Sequence, residues 1–367
     1  MADIAITVDG GTSKRLLTAG KYCDKDILVT ATGGGGGEPE PPDDGKTRLY
    51  ITVPANSMPD RDPPRNQVPL YIQQSVANGV TIDWGDGSDP ETLPGTGNVN
   101  TTHTYQQAGD YVISLDPAEG CELGLGHGSS SYCVLGPTNN NGLVYCNMLQ
   151  RVVIGSRGVT SIRDSAFQYC YSLASVTIPD SVTSIRDSAF QYCYSLASVT
   201  IPDGVTSIGF YAFQYCYSLA SVTIPDGVTS IRTYAFSSCY SLASVTIPDS
   251  VTSIGFYAFQ YCYSLASVTI PDGVTSIGSY AFQYCYSFAS VTIPDGVTSI
   301  GRAAFYNCVG VKEYHLLPTT PPSLPNTNAF NGIPSDCIIY VPVGSLEVYR
   351  TATNWSEYAD QMREEGT

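Results

Sequence analysis

Val182-Thr183-Ser184-Ile185-Arg186-Asp187-Ser188-Ala189-Phe190-Gln191-Tyr192-Cys193-Tyr194-Ser195-Leu196-Ala197-Ser198-Val199-Thr200-Ile201-Pro202-Asp203-Gly204 is one copy of a unit that the chain repeats every 23 residues. Cys170, Cys193, Cys216, Cys239, Cys262, Cys285 and Cys308 keep that interval without a slip, and Phe167, Phe190, Phe213, Phe236, Phe259, Phe282 and Phe305 keep it too. A fixed period of this length predicts a solenoid, in which each repeat is one coil that buries its apolar side only against its neighbours. The fold class follows as mainly β, with the solenoid over residues 146–318. Such a stack makes a binding surface a better expectation than a catalytic cleft.

In the coil that begins at Val159, the apolar positions are Val159, Ile162, Ala166, Phe167, Cys170, Leu173, Val176 and Ile178. Neighbours alternate along a strand, so Ser175 and Thr177 face outward between Leu173, Val176 and Ile178. Later coils repeat the pair as Ser198 and Thr200, Ser221 and Thr223, Ser244 and Thr246, Ser267 and Thr269, and Ser290 and Thr292. Good sheet chemistry alone accounts for this hydroxyl face. Its central residues Ser221, Thr223, Ser244 and Thr246 are the reserve candidates for ligand contact.

Tyrosines flank the cysteine in most coils, as in Tyr169 and Tyr171 or Tyr192 and Tyr194. Packing between coils, with the hydroxyl reaching water, is the plain reading of these. A three-residue window elsewhere in the coil varies, from Arg163-Asp164-Ser165 to Gly209-Phe210-Tyr211, Arg232-Thr233-Tyr234 and Gly278-Ser279-Tyr280. Packing explains that variation poorly, whereas Tyr and Ser mixtures suit recognition because Tyr gives large amphipathic area at low entropic cost. Phe210, Tyr211, Tyr234, Phe256, Tyr257 and Tyr280 recur at nearly one spot per coil and are the candidate recognition surface.

The repeats match I-P-x-x-V-x-x-I-x-x-x-A-F-x-x-C coil after coil and resemble the BspA-like leucine-rich repeat family over roughly residues 146–342. That resemblance implies a leucine-rich repeat solenoid ended by a cap, and a surface or secreted binding protein. The first coil, with Cys146, Leu149, Val152 and Ile154, carries one extra residue before Val159, and the last drifts at Asn307, Val309 and Val311. Imperfect ends are expected where one face meets water. Residues 319–367 read as the cap, with Val348-Tyr349 and Trp355-Tyr358 in one short helix over the open end.

Ahead of the solenoid, residues 1–32 read as a small N-terminal β module, residues 33–46 as a Gly/Pro/acidic linker, and residues 47–145 as a β-sandwich with a loop-rich bridge. Asp83-Trp84-Gly85-Asp86-Gly87-Ser88, His103-Thr104-Tyr105 and Gly109-Asp110-Tyr111-Val112 resemble the PKD-type immunoglobulin-like domain over roughly residues 47–116. Trp84 is expected in the sandwich core and Asp86-Gly87 at a tight turn. Leu17-Thr18-Ala19-Gly20-Lys21-Tyr22-Cys23-Asp24-Lys25-Asp26-Ile27-Leu28-Val29 resembles a segment that recurs near the ends of phage tail and other virion proteins.

Charge narrows the partners. The formal net charge is −16, with 8 Lys+Arg against 18 Asp+Glu in residues 1–145 but 7 against 9 in residues 146–318. So acidic a surface argues against nucleic acid and anionic membrane, and the near-neutral repeats leave hydroxyls and aromatics to make contacts. No run approaches 18 apolar residues, so no membrane span is expected. Met1-Ala2-Asp3-Ile4-Ala5-Ile6-Thr7 lacks the basic start and apolar stretch of a signal peptide.

Catalytic and metal chemistry are not expected. Of the twelve cysteines, Cys146 and the seven on the beat fill one core position, where a thiol acts as a small apolar group. No C-x-x-C pair suggests a metal site, and Cys23, Cys121, Cys133 and Cys337 have no assignment. His103 and His315 read as structural. His127, beside Ser129, Ser130 and Ser131, lacks the strand–turn–helix frame of a nucleophile elbow. Asp83, Asp86 and Asp89 lack the ligand spacing of a calcium loop.

The expectation is a non-enzymatic binding protein without a cofactor. The leading form is a phage or prophage virion surface protein, a tail, receptor-binding or decorating component attached through residues 1–32 and facing a cell-surface glycan or protein. Lysis would place it outside the cell without a signal peptide. The alternative is a bacterial cell-surface BspA-like adhesin, and self-association stays open.

Overall fold

The computed structural model describes residues 43–55, 66–128, 132–137 and 143–366. The chain divides after Asp43, and everything below concerns the unit Asp44–Thr367. The N-terminal module, linker residues 33–42, Cys23 and the virion-like stretch 17–29 lie outside the described residues, as do Ser129, Ser130 and Ser131.

Two short strands recur along the solenoid. Ser184–Ile185 pairs in parallel with Ser161–Ile162 before it and Ser207–Ile208 after it, and Ser175–Thr177 pairs with Ser198–Val199. The register advances by one coil per step, Ser161 to Ser184 to Ser207. Turns keep the strands short: the Val205 N–H donates to Pro202 O at 3.0 Å, and the Leu196 N–H to Cys193 O at 3.1 Å. The aspartates after each proline are these turn residues.

Each complete coil also holds two residues in the left-handed region, for example Ser188 at φ 56° and Tyr192 at φ 64°. That conformation costs an L-residue roughly 1–2 kcal/mol, and here it turns the N–H along the stack. Ser188 donates to Phe210 O at 2.8 Å and Tyr192 to Gln214 O at 2.9 Å, so the next coil offsets the strain.

The core is a set of ladders. The rings of Phe167, Phe190, Phe213, Phe236, Phe259, Phe282 and Phe305 stack at 5.2–5.5 Å, and all are buried. Beside them the thiols of Cys193, Cys216, Cys239, Cys262, Cys285 and Cys308 donate to the Phe carbonyl of the preceding coil at 3.2–3.3 Å. Burial pushes the Cys308 thiol up to about 12. All eleven described cysteines are free and buried, so the expected buried thiols are what the fold contains. A buried amide ladder runs from Gln168 through Gln191 to Gln214 and resumes from Gln260 to Gln283. Ser237 interrupts it.

Among the described residues ahead of the solenoid lie nine strands and one helical turn: β1 (Thr47–Val53), β2 (Gln67–Gln74), β3 (Val80–Asp83), β4 (Glu91–Thr92), β5 (Gly97–Thr104), β6 (Gly109–Pro117), β7 (Leu123–Leu125), β8 (Tyr132–Cys133), β9 (Gly136–Pro137) and α1 (Leu143–Cys146). One sheet runs β4-β3-β6-β1 and continues through β10 (Leu149–Val153) into the solenoid strands Ser175–Thr177 and Ser198–Val199. A second runs β5-β2-β7, and buried residues of both sheets share one apolar cluster. Because β1 pairs antiparallel with β10, the β-layer and the repeats are one hydrogen-bonded structure.

Trp84 sits in this core at 2% exposure, stacked on His103 at 4.7 Å and bonded through Nε1 to Glu91. Gly85 makes the following turn at φ 75°, where a Cβ would lie 2.5 Å from Val112 O. Burial works against ionisation of Asp86, yet bonds from Ser88 and His103 hold its carboxyl down at about 2.

Both ends of the solenoid are sealed. Every later coil offers its Ala carbonyl to the preceding Phe N–H, as Ala189 does to Phe167; at the start, Ala166 takes the Val134 N–H instead, at 2.9 Å. The bridge after residue 117 is thus the N-terminal lid. At the other end, Glu313–Leu316, Ile338–Val341 and Met362–Glu364 extend the parallel sheet. Phe330 adds one ring to the Phe ladder at 5.3 Å, and Trp355 and Tyr349 bond to the carbonyls of Pro322 and Pro318, both at 2.7 Å.

Candidate functional site

The variable window resolves into a stack of rings. Tyr211, Tyr234, Tyr257 and Tyr280 occupy the first left-handed position of successive coils, at φ 60°, 59°, 57° and 62°. Locked in one backbone conformation, they stack at 5.0, 4.5 and 4.6 Å with interplanar angles of 13°, 3° and 1°. Ring edges and hydroxyls therefore point outward in a row. Burial, then Tyr257 and Tyr211, push the Tyr234 phenol up to about 12. Phe210 and Phe256, each one residue before its tyrosine, are 39% and 54% exposed. Arg232 lies over the Phe210 ring at 5.0 Å and Arg302 over Tyr280 at 6.0 Å.

The end coils build the same position without an aromatic. Ser165, Ser188 and Ala303 stand there at φ 57°, 56° and 53°. The residue before it is Asp164, Asp187, Thr233, Ser279 or Arg302 where it is not Phe. Neither aromatic is a requirement of the coil.

Two further tyrosine ladders flank the cysteines. Tyr171, Tyr194, Tyr217, Tyr240, Tyr263 and Tyr286 stack without a break at 4.5–5.0 Å. Tyr169, Tyr192 and Tyr215 form the other, which stops at Ser238 and resumes as Tyr261 and Tyr284. Edge-on contacts such as Tyr192 with Tyr194 join the two. Apart from Tyr286, which is exposed, these rings are half-buried, and burial pushes Tyr192 up to about 12. They fit the expected role of packing between coils.

On the strand face, Ser221, Thr223, Ser244 and Thr246 are exposed as alternation requires, with Val222 and Val245 buried between them. The histidines all have structural partners. His103 bonds to Asp86 at 2.7 Å, His127 reaches Val99 O at 3.2 Å beside the Tyr71 ring, and His315 contacts Glu365 at 2.7 Å. A polar cleft between β2, β7 and the first coil is lined by Gln73, Glu122, Gly124 and Arg163, and its lining includes no histidine or cysteine.

One grouping escapes a reading by spacing. Cys133, Cys146 and Cys170 are brought together by the N-terminal lid, their sulfurs all within 4.8 Å of one another. They are 13 and 24 residues apart in sequence, so no short motif announces them.

Residues 138–266, 183–312 and 252–335 match the model of the BspA type leucine rich repeat region. The chain belongs to the BspA-type leucine-rich repeat family. This places the Phe and Cys ladders, the two strands per coil and both tyrosine-bearing flanks inside the BspA-type region. Among solved structures, the chain is similar to the T. pallidum leucine-rich repeat protein, with 31% identity over 52% of this chain and 86% of that one, at a TM-score of 0.43. It is also similar to a leucine rich cell surface protein from Faecalibacterium prausnitzii A2-165, with 29% identity over 61% of this chain and 62% of that one, at a TM-score of 0.37. No curated protein matches. No helix among the described residues is long and apolar enough to cross a membrane.

Proposed function

We propose that this BspA-type protein is a non-enzymatic adhesin that binds a repeating, weakly charged polymer on a cell surface, a glycan or a protein, through Phe210, Tyr211, Tyr234, Phe256, Tyr257 and Tyr280. The observation that carries the reading is that Ser165, Ser188 and Ala303 adopt the backbone that Tyr211, Tyr234, Tyr257 and Tyr280 adopt. Tyrosine is therefore not there to hold the coil. A row of tyrosine rings with centroids 4.5–5.0 Å apart suits a periodic ligand, each coil adding one weak contact. The BspA-like kind is mostly surface or secreted, which favours the adhesin form. The PKD-type resemblance around Trp84 makes the β-layer a spacer for that display. Placement on a virion is the second reading and rests on the stretch 17–29.

The test is a variant with all six aromatics changed to Ser, a residue the end coils already accommodate. Attachment to whole cells and to a glycan array is expected to fall by about a hundredfold, the scale on which linked weak contacts multiply. It should change little with salt in the wild type, because the contact does not rest on long-range charge. Undiminished attachment would reject the stripe and move the site to Ser221, Thr223, Ser244 and Thr246.

A further inference from the structure

The three converging thiols lie where the solenoid is sealed. Cys133 ends β8, Cys146 ends α1, and Cys170 is the first cysteine of the regular ladder. All three are fully buried, with their sulfurs within 4.8 Å of one another. Three sulfurs bound to one ion at about 2.3 Å sit about 4 Å apart, so small side-chain shifts suffice to close them on a cation. Among the described residues no histidine, carboxylate or fourth cysteine joins the group.

The surroundings of Cys133 differ from those of the ladder cysteines. Beyond this junction, from Cys193 to Cys308, each thiol donates to a Phe carbonyl. Cys133 instead faces two other thiols, those of Cys146 and Cys170. Cys133 also pairs with Gly136 across the antiparallel β8–β9 ladder.

We propose that Cys133, Cys146 and Cys170 bind one thiophilic monovalent cation, Cu(I), as a structural clasp between the N-terminal lid and the first coil. Structural zinc takes four ligands, whereas three soft thiolates in a dry site suit Cu(I). Each coordinating thiol releases its proton on binding, and nothing is oxidised. Because the sulfurs are enclosed, loading accompanies folding.

The full chain, refolded without oxygen in the presence of one equivalent of Cu(I), should retain one copper per chain by native mass spectrometry after challenge with a Cu(I) chelator. Its melting temperature should rise by several degrees over the metal-free protein. Cys133→Ser should lose the retained copper, while Cys262→Ser, in the middle of the ladder, keeps it. Because Cys133→Ser could unfold the lid, Cys170→Ser and circular dichroism of each variant are read alongside; copper lost from either folded variant supports the site. No retained copper, retention in both Cys133→Ser and Cys170→Ser, or retention of Zn(II) in preference to Cu(I) overturns the proposal.

Discussion

Removing residues 319–367 is expected to turn a soluble protein into aggregates. The cap covers the last Phe ring with Phe330 and pairs Glu313–Leu316 with Ile338–Val341. Its Phe330, Tyr349, Trp355, Tyr358 and Met362 are all buried. At roughly 1.5–3 kcal/mol for each large apolar side chain, that burial amounts to about 10 kcal/mol gross, comparable with the whole net stability of a domain. Truncation exposes Phe305 and Tyr314 and leaves an open parallel edge ready to pair with another chain. Light scattering after size exclusion reads the result, and a truncated protein that stays monomeric would contradict it.

Phe236→Ala should have the second-largest effect. The ring contacts Phe213 at 5.4 Å and Phe259 at 5.5 Å, and its loss should cost about 3–5 kcal/mol. The position also divides the stack, because Ser237 and Ser238 already interrupt the amide ladder and one tyrosine ladder in that coil. In a chain of nearest-neighbour contacts, weakening the weakest joint uncouples the two sides. Denaturant unfolding should therefore become biphasic in Phe236→Ala, and stay closer to a single transition in Phe190→Ala. A loss below about 1 kcal/mol would mean that the Phe ladder is not the core.

The solenoid was legible because its period is set by what each coil must bury. Phe190, Cys193, Leu196 and Val199 are all core, and strand alternation alone puts Ser221 and Thr223 outside. The short helix expected over Val348-Tyr349 and Trp355-Tyr358 is two pieces, the α-helix Leu346–Thr351 and the 3-10 helix Ser356–Gln361, because the chain turns extended at Ala352. The pairing of β1 with β10 joins residues about a hundred apart, and no local pattern encodes such a partner. The spot-per-coil reading found Tyr211, Tyr234, Tyr257 and Tyr280, but their ring-on-ring geometry follows from a positive φ that tyrosine seldom adopts. Sequence spacing also hides Cys133, since the lid reaches its place beside Cys170 through the hydrogen bond of Val134 to Ala166.

Hydroxyl-radical footprinting with and without fragments of the cell envelope to which the protein attaches tests the central claim most directly. Aromatic side chains report their own exposure, so each ring of the stripe is read separately. The account predicts protection of Phe210, Tyr211, Tyr234, Phe256, Tyr257 and Tyr280 on binding, with Tyr171 and Tyr286 on the other flank unchanged. Equal modification of the stripe in the free and bound protein, with protection confined to peptides of the Ser221–Thr223 and Ser244–Thr246 strands, would contradict it.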